Sequence, residues 1–463
     1  MIGEDVLYLT VTELASRIKS RALSPVELTE AYLQRSESVG ARLNAYATIT
    51  RERALTEARE AEREIAAGRY RGPLHGIPYA AKDLLAAKGY PTSWGAPPYA
   101  NQRFDFDATV IRKLKNAGAV LVGKAAMIEL AGGMGYRYGT ASITGGTKNP
   151  WNENCWTCGS SSGSGAIVAA GLAAFAIGTE TWGSIVCPSA FCGVSGLRPT
   201  FGRVGRGGAM ALSYSMDKIG PMARSADDCG LILAALSGHD PDDRHSLPDE
   251  EGLFAYERDA RKLRVGRVTN AWGSMPEDIA SATNAAFETL RAGGATIVDV
   301  KLPDGPWEMA AAVTIQVEGA SAFESLIESG RVSELRDPGS RIGGYVNMTI
   351  PGPDYLRAQR IRTVLQREID KVFEQVDVVA SATLPITATR METNLESDFA
   401  FSDPMGGIGN FAGLPAISVP SGLSSRRLPM GVVFMGRALD DNAVLAAARL
   451  FQSRTDFHQQ RPV

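Results

Sequence analysis

The stretch that decides the fold begins with a small-residue segment, Cys158-Gly-Ser-Ser-Ser-Gly-Ser-Gly165, which leads directly into the apolar run Ala166-Ile-Val-Ala-Ala-Gly-Leu-Ala-Ala174. A flexible linker has a similar composition, but linkers do not lead straight into a buried helix. No dinucleotide or P-loop pattern is present, which disfavours phosphate binding. A strand, 176–179, and a second loop, Glu180-Thr-Trp-Gly-Ser-Ile185, follow. The stretch therefore predicts two loops whose small residues bring hydroxyl and backbone N–H groups close to a reacting atom.

Short apolar strands alternate with helices on both sides of this stretch. The predicted strands are 76–81, 119–122, 376–380, 416–420 and 430–435, and the predicted helices include 108–117 and 440–451. This alternation predicts an α/β fold, a single large domain with a central mixed β-sheet covered by helices on both faces. The expected segments are a helical N-terminus (about 1–70), a core (about 71–240), a helical insertion beside the sheet (about 303–358) and a C-terminal sheet and helix (about 370–463).

The composition excludes several classes of function. The chain has 463 residues, 44% hydrophobic and 21% charged, with a net charge of −3, so no basic field would attract nucleic acid. The longest low-polarity run, 165–178, is too short to cross a bilayer, and the acidic start does not resemble a secretory signal. The five cysteines, an odd number, favour reduced thiols. We therefore expect a cytoplasmic protein without nucleic-acid or membrane partners, while its oligomeric state cannot be read from the sequence.

Further segments carry a resemblance to a known family. They are Leu74-His-Gly-Ile-Pro-Tyr-Ala-Ala-Lys82-Asp83, Pro188-Ser-Ala-Phe-Cys-Gly-Val-Ser-Gly-Leu-Arg-Pro-Thr200, Gly202-Arg-Val204, Ser215-Met-Asp-Lys-Ile-Gly-Pro-Met222 and Asn410-Phe-Ala-Gly-Leu-Pro-Ala-Ile-Ser-Val-Pro420. Together with the two loops described above, they make the chain resemble the amidase signature hydrolases over almost its whole length. The resemblance implies an amidase that cleaves C–N bonds through an acyl-enzyme, without a metal or an organic cofactor.

The resemblance also implies a role for individual residues. Ser184 would be the nucleophile, Ser160 a bridging serine and Lys82 the base, a Ser-Ser-Lys triad. The peptide bond before Ser160 would be cis. The oxyanion hole would consist of the backbone N–H groups of Thr181, Trp182, Gly183 and Ser184.

The chemistry of a serine nucleophile agrees with a lysine base. A serine hydroxyl needs a base near neutral pH, and none of the four histidines (His75, His239, His245 and His458) lies in a triad-like pattern. The pKa of Lys82 would have to fall by roughly three units, which burial can achieve. Lys82 follows an apolar strand, which suits burial, although a surface ion pair with Asp83 is the alternative.

The pair Cys155-x-x-Cys158 is also found in metal and redox sites. No second pair stands at zinc spacing, so a loop without metal is favoured. Cys187 and Cys192 are expected to be buried packing residues.

The sequence departs from the family pattern next to the nucleophile. Glu180 replaces an Asp, Trp182 replaces a Gly, Val186 replaces an Arg, and Ser162 replaces a Gly. We expect the indole of Trp182 to form a wall of the pocket or to pack away from the acyl path. The other expected wall residues are aromatic or carry thioethers: Met127, Met134, Tyr136, Tyr138, Met309, Phe401 and Met405. Such a wall predicts apolar or aryl amides, anilides or carbamates (urethanes) as substrates.

The family also contains the glutaminase subunit of the tRNA-dependent amidotransferase. These subunits bind the α-carboxylate and α-amine of glutamine with an Arg, an Asp and a Tyr, and Arg362 and Asp403 align with the first two. Leu326 stands where the Tyr would be. The sequence therefore favours a free-standing hydrolase of small amides or carbamates. The amidotransferase glutaminase is the alternative, and a catalytically silent binding protein is a third interpretation.

Overall fold

The computed structural model describes residues 2–257 and 262–462. The strands are β1 (Tyr46–Ile49), β2 (Pro78–Lys82), β3 (Val120–Ala125), β4 (Lys148–Asn149), β5 (Asn152–Trp156), β6 (Phe175–Glu180), β7 (Ser195–Arg198), β8 (Lys218–Ala223), β9 (Arg264–Val268), β10 (Thr296–Val300), β11 (Val378–Ala382), β12 (Ala416–Leu423) and β13 (Pro429–Gly436). The helices are α1 (Val11–Lys19), α2 (Pro25–Arg35), α3 (Arg51–Ala66), α4 (Thr109–Asn116), α5 (Ser162–Ala169), α6 (Val186–Cys192), α7 (Ala226–Leu236), α8 (Asp249–Gly252), α9 (Glu277–Ala292), α10 (Trp307–Ala322), α11 (Glu324–Glu328), α12 (Ser340–Asn347), α13 (Gly352–Phe373), α14 (Leu395–Asp398), α15 (Pro404–Ala412) and α16 (Asp441–Gln452). Within these ranges, no helix combines the length and the apolar character that crossing a membrane requires.

One large mixed sheet organises the fold. Among the described residues, eleven strands lie in the order β1-β3-β2-β6-β8-β7-β12-β13-β11-β9-β10, and β4 and β5 form a separate pair. β3, β2 and β6 are parallel to their neighbours in this group, as are β11, β9 and β10, whereas β6, β8, β7, β12, β13 and β11 pair antiparallel. The predicted α/β fold with a central mixed sheet is therefore confirmed.

Alternate residues of the strands are buried in different hydrophobic clusters. In β2, Tyr79 and Ala81 belong to the hydrophobic cluster that contains residues of α4, α7 and α16, whereas Ala80 belongs to the cluster that contains residues of α3 and α5. In β11, Val378 and Val379 divide in the same way, and Val379 faces the cluster formed by α10, α13 and α15. Because side chains alternate along a strand, this division shows that helices cover both faces of the sheet.

The N-terminal segment, which the sequence predicted to be helical, also contains a strand. Thr10 caps α1 through a reciprocal capping box with Glu13, and Ser24 caps α2, which has Pro25 at its first position. Strand β1 joins the edge of the main sheet by pairing with β3. This four-residue strand forms because it pairs with β3, which is distant in the chain, and the local sequence does not predict that pairing.

The predicted insertion at 303–358 contains four helices, α10 to α13, but its last helix runs on to Phe373. Helix α10 packs against α13 and α15. These helices cover the C-terminal half of the sheet and supply one wall of the candidate site described below.

Candidate active site

The candidate site lies at the carboxyl ends of two neighbouring parallel strands of the sheet. β2 ends at Lys82 and β6 ends at Glu180, and the two strands pair in parallel register. The chain segments that leave the carboxyl ends of neighbouring parallel strands lie side by side, which is a common position for binding sites in α/β proteins. The small-residue loop before α5 closes over the same edge, because Ser161 Oγ donates to Thr179 O (3.1 Å) and accepts from Thr179 N (3.2 Å).

The structure places Lys82, Ser160 and Ser184 in one chain of contacts. Lys82 Nζ lies 2.7 Å from Ser160 Oγ, and Ser160 Oγ is hydrogen-bonded to Ser184 Oγ at 3.2 Å. Lys82 and Ser160 are fully buried, whereas Ser184 keeps 7% of its surface exposed. The peptide bond between Gly159 and Ser160 is cis. The three side chains can therefore pass a proton between them, and the outermost serine is the one that retains solvent exposure.

Burial makes Lys82 an unusual lysine. Its other partners are Thr179 Oγ1 at 2.9 Å and Thr179 O at 3.4 Å, and no carboxylate of the described chain lies in ion-pair range. Loss of solvation lowers the pKa of Lys82 to about 7, although the more distant charges of Asp217 and Glu180 oppose the shift. A substantial fraction of Lys82 is consequently neutral near pH 7 and able to accept a proton.

The loop after β6 presents a row of backbone donors. Gly183 has a φ of +81°, a conformation that favours glycine. In the part of the chain that the structure describes, no protein group accepts from the N–H groups of Thr181, Trp182, Gly183 or Ser184. These N–H groups, including that of Ser184 itself, are therefore available as donors, as the stabilisation of an oxyanion requires.

Glu180 anchors the end of this loop. Its Oε2 accepts from the N–H groups of Ile185 (2.8 Å) and Val186 (3.0 Å), and its Oε1 accepts from Arg198 (2.8 Å) and Asn410 (3.0 Å). Burial alone would raise the pKa of Glu180, but Arg198 and these hydrogen bonds outweigh burial and lower it. Glu180 therefore stays charged and ties the loop to α6 and β7. The substitution of Glu for the family's usual Asp leaves this carboxylate fully engaged.

Two further carboxylates hold side chains of the loop. Thr181 Oγ1 donates to Asp217 Oδ1 at 2.6 Å, and the indole N–H of Trp182 donates to Asp403 Oδ2 at 2.9 Å. Asp217 in turn accepts from the N–H groups of Leu212 and Ser213. The loop is thus fastened on both sides by buried or partly buried acids.

An apolar pocket of about 610 Å³ opens over the loop. Aromatic, aliphatic and sulfur-containing side chains make up most of its wall, and its charged members are acidic. The lining residues are Tyr136, Trp156, Cys158, Gly159, Trp182, Gly183, Cys187, Glu308, Met309, Ala312, Leu384, Leu395, Glu396, Phe399, Phe401 and Asp403. Among these described residues there is no lysine and no arginine. The pocket is therefore mainly apolar, with acidic side chains as its charged members.

The predicted substrate-binding residues divide into two groups. Tyr136 and Asp403 line the pocket, as do Met309 and Phe401 from the wider predicted wall. Met134, Tyr138 and Arg362 do not line the pocket, and a role for them in substrate binding stays a prediction.

Met134, Tyr138 and Arg362 each have contacts outside the pocket. Met134 is buried under α12, where its carbonyl and sulfur face Gly343 and Gly344. The backbone of Tyr138 donates to Asp337 instead of facing the pocket. The guanidinium of Arg362 lies on the far side of α15, where it donates to the carbonyls of Phe411 (2.5 Å) and Ser215 (2.8 Å).

Sequence reasoning missed part of the wall. Trp156 belongs to the separate β4–β5 pair, and Leu384, Leu395 and Phe399 come from the segment between β11 and α15. A signal was present in the spacing of Phe399 and Phe401, two aromatic residues two positions apart outside a predicted strand. The ring centroids of Phe399 and Phe401 are 5.6 Å apart, and Phe399 lies 6.5 Å from Trp156.

The cysteines form no metal centre. Cys155, Cys158, Cys187, Cys192 and Cys229 are all buried free thiols. Across residues 2–257 and 262–462, no group of three or more His, Cys, Asp or Glu side chains is arranged to hold a metal ion. Cys187 and Cys192 are buried in hydrophobic clusters, as predicted, and Cys187 and Cys158 also line the pocket.

Comparisons with known proteins agree with this geometry. A model of the amidase family matches residues 27–445. The A subunit of the glutamyl-tRNA(Gln) amidotransferase of Geobacter metallireducens is 37% identical over 485 residues, covering 99% of each chain. The peptide amidase of Stenotrophomonas maltophilia superposes with a TM-score of 0.83 at 31% identity over 98% of each chain. A chain of a vestigial protein complex that reveals the evolutionary origins of an s-triazine catabolic enzyme superposes with a TM-score of 0.88 at 28% identity, covering 96% of this chain and 98% of that one. This protein therefore belongs to the amidase signature family of serine amidohydrolases.

Proposed function

We propose that this protein is a free-standing hydrolase that cleaves the C–N bond of amides carrying an apolar or aromatic group, through an acyl-enzyme on Ser184. The observation that carries the proposal is the contact chain from Lys82 Nζ to Ser160 Oγ (2.7 Å) and on to Ser184 Oγ (3.2 Å), next to an apolar pocket whose lining includes Gly159 and Gly183, the residues that precede the two serines. Aryl amides, anilides and aryl carbamates are the substrate classes that such a pocket would accept.

The proposed reaction begins with neutral Lys82. Lys82 takes the proton of Ser160 while Ser160 takes the proton of Ser184, and Ser184 Oγ attacks the carbonyl carbon. The oxyanion accepts hydrogen bonds from the 181–184 loop, where each donor is typically worth about 3–4 kcal/mol. The same relay returns the proton to the leaving nitrogen, and water then hydrolyses the ester of Ser184. All the required proton transfers lie within one contact chain, so these residues can carry out the cycle by themselves.

The lining of the pocket supports an apolar substrate. Burying one aromatic ring in such a wall contributes roughly 2–3 kcal/mol relative to leaving it in water. Its charged side chains, Glu308, Glu396 and Asp403, are acidic and would oppose a free carboxylate on the substrate. Glutamine carries such a carboxylate, and Arg362, the cation predicted to hold it, does not line the pocket and donates to the carbonyls of Phe411 and Ser215.

One observation favours a second candidate, the A subunit of a glutamyl-tRNA(Gln) amidotransferase. The A subunit from Geobacter metallireducens shares 37% identity over nearly the full length, against 31% for the peptide amidase of Stenotrophomonas maltophilia. Under this candidate the chain would act on glutamine together with protein partners. We place it second because the pocket offers glutamine no matching cation among the described residues.

A substrate panel separates the candidates. The purified chain and its Ser184→Ala variant are incubated with an anilide, a short aliphatic amide, glutamine and an aryl carbamate, and product formation is followed by chromatography. We expect the chain alone to hydrolyse the anilide or the aryl carbamate, with kcat/KM at least about tenfold above that for the aliphatic amide because of the buried ring. The Ser184→Ala variant should be inactive on every substrate.

Other outcomes would redirect the proposal. Turnover of glutamine only, and only after the other components of an amidotransferase are added, would favour the second candidate. Binding of the anilide without turnover of any substrate would point to a silent binding protein.

A further inference from the structure

The side chain of Trp182 occupies a defined niche beside Ser184. Its indole N–H donates to Asp403 Oδ2 at 2.9 Å. Two glycines of α15 make room for the ring: a Cβ on Gly406 would lie 2.8 Å from Trp182 Nε1, and a Cβ on Gly407 would lie 3.2 Å from Trp182 Cζ2. The large residue in the loop and the two missing side chains on the helix are therefore complementary in shape.

Asp403 is itself held in place from several directions. Its Oδ1 accepts from Gly406 N at 2.9 Å and caps the first turn of α15. Its backbone N–H donates to Glu308 Oε1, and Ser402 Oγ donates to Glu308 Oε2 at 2.5 Å. Asp403 thus joins three elements, the 181–184 loop, α15 and α10, and each of its carboxylate oxygens already accepts a hydrogen bond.

We propose that Asp403 is a positioning residue, which holds the indole of Trp182 and thereby fixes the backbone donors of the 181–184 loop around Ser184. This inference rests on the proposed function, because it assigns the loop to oxyanion stabilisation. It replaces the sequence-based expectation that Asp403 binds the amine of a substrate. Trp182 needs such a restraint because its neighbour Gly183, at a φ of +81°, is a flexible residue on the Ser184 side of the loop.

The electrostatics of the site agree with a structural use of the carboxylate. Burial raises the pKa of Asp403 to about 6, while the hydrogen bonds from Gly406 and Trp182 oppose the rise and the nearby Glu308 and Glu180 add to it. The carboxylate is kept beside other acids and away from bulk solvent, and its two bonds to N–H donors are what favour its charged form.

The test measures the reactivity of Ser184 without the need for a known amide substrate. A small uncharged fluorophosphonate reacts with an activated serine, and its phosphoryl oxygen occupies the oxyanion hole in the product. The second-order rate constant of labelling is measured by mass spectrometry on the full chain. Unlabelled wild-type protein would contradict the proposed function itself, whereas the variants below test only the role of Asp403.

The variants remove the contact from either end. Asp403→Ala removes the acceptor, and Trp182→Phe keeps an aromatic ring but removes the N–H donor. We expect each to slow labelling by roughly 10- to 100-fold, a displaced donor costing less than the complete loss of one. The double variant should be no more than about twofold slower than the slower single variant, because both remove the same contact. Asp403→Asn has a single oxygen for two N–H donors and should fall between Asp403→Ala and the wild type.

A matched control separates this role from a general loss of structure. Trp151→Phe removes another indole hydrogen bond, the one that Trp151 Nε1 donates to Cys192 O at 2.8 Å, outside the pocket lining. It should label at the wild-type rate. With an anilide as substrate, Asp403→Ala should lower kcat and leave KM within about threefold, since a transition-state contact is lost.

Three results would overturn the inference. One is labelling of folded Asp403→Ala at the wild-type rate, and another is a double variant whose loss is the product of the two single losses. The third is a rise in KM confined to amine-bearing substrates with unchanged labelling, which would show that Asp403 contacts the substrate instead. Circular dichroism on each variant establishes that the labelled protein is folded.

Discussion

Two buried lysines on neighbouring strands have opposite surroundings. Lys82 ends β2, and Lys124 lies on the adjacent parallel strand β3, where it pairs in register with Ala81. Both side chains are completely buried. Lys124 Nζ lies 2.9 Å from Asp83 Oδ1 and donates to Thr92 Oγ1 at 2.8 Å. Among the described residues, the hydrogen-bond partners of Lys82 Nζ are the hydroxyl of Ser160 and the hydroxyl and carbonyl of Thr179.

The contrast shows how two buried lysines on neighbouring strands come to differ in their ion pairing. Asp83 follows Lys82 directly in the chain, yet its carboxylate is directed to Lys124, because successive side chains of an extended segment point to opposite sides. Burial lowers the pKa of Lys124, but the charge and hydrogen bond of Asp83 oppose the shift. No carboxylate of residues 2–257 and 262–462 pairs with Lys82 in this way, and burial lowers its pKa to about 7. The ion pair with Asp83 therefore distinguishes Lys124, a structural lysine, from Lys82, the proposed base.

The largest expected difference concerns activity. Lys82→Met should lower kcat/KM for an anilide by about 10³- to 10⁴-fold, because general-base catalysis contributes in this range and no histidine reaches the site. Lys124→Met should keep most of its activity per folded molecule, since Lys124 touches neither Ser160 nor Ser184. Initial rates normalised to the folded fraction provide the measurement. Comparable losses in both variants would break the comparison.

The second expected difference concerns stability, because the two substitutions should change the free energy of unfolding in opposite directions. A lysine whose pKa falls from 10.5 to about 7 on folding is disfavoured by about 4 kcal/mol at pH 7, so Lys82→Met should increase the free energy of unfolding by up to that amount. Lys124→Met leaves the charge of Asp83 buried without its partner and should decrease the free energy of unfolding by about 3–5 kcal/mol.

Urea denaturation of both variants measures the signs, and pH adds a control. Because the pKa of Lys82 is lowered on folding, the unfolded chain binds more protons between pH 7 and 10.5, and wild-type stability rises with pH in this window. The advantage of Lys82→Met should therefore shrink toward pH 10.5. In a Lys124→Met/Asp83→Asn double variant, most of the loss should be recovered. A destabilised Lys82→Met protein would mean that Lys82 is stabilised in its charged form.

The smallest expected effect is on the pH profile. Only neutral Lys82 can accept a proton, so kcat/KM should rise about tenfold per pH unit below 7 and level off above it. In Lys124→Met the midpoint should stay near that of the wild type. A profile that is flat from pH 5 to 8 would argue against a lysine base, and a large shift in Lys124→Met would show that the two lysines are coupled.

Much of the fold was predictable from the sequence, for a physical reason. The strands β2, β6, β11 and β13 lie within about two residues of the predicted segments, because buried strands in such sheets read as short apolar runs between Gly and Pro. β7, with the sequence Ser-Gly-Leu-Arg, and the edge strand β1 were missed. Their backbone groups are paired by neighbouring strands that are distant in the chain, and their own residues carry no clear alternation.

The candidate site divides in the same way. The sequence alone pointed to Lys82, Ser160 and Ser184 through the resemblance to the amidase signature hydrolases, and the structure brings their side chains into contact. Their catalytic roles remain predictions that the proposed experiments test.

Only the tertiary structure decided the charge of Lys82, the walls of the pocket and the partner of Trp182. On the basis of the sequence, Asp83 could have paired with Lys82. In the folded structure its carboxylate pairs with Lys124 instead. Trp182 and Asp403 are 221 positions apart, and the walls come from β4–β5, α10 and the segment before α15. The solvation and the ion pairing of a buried group depend on all the elements that pack around it. The local sequence does not show which distant residues those elements bring close.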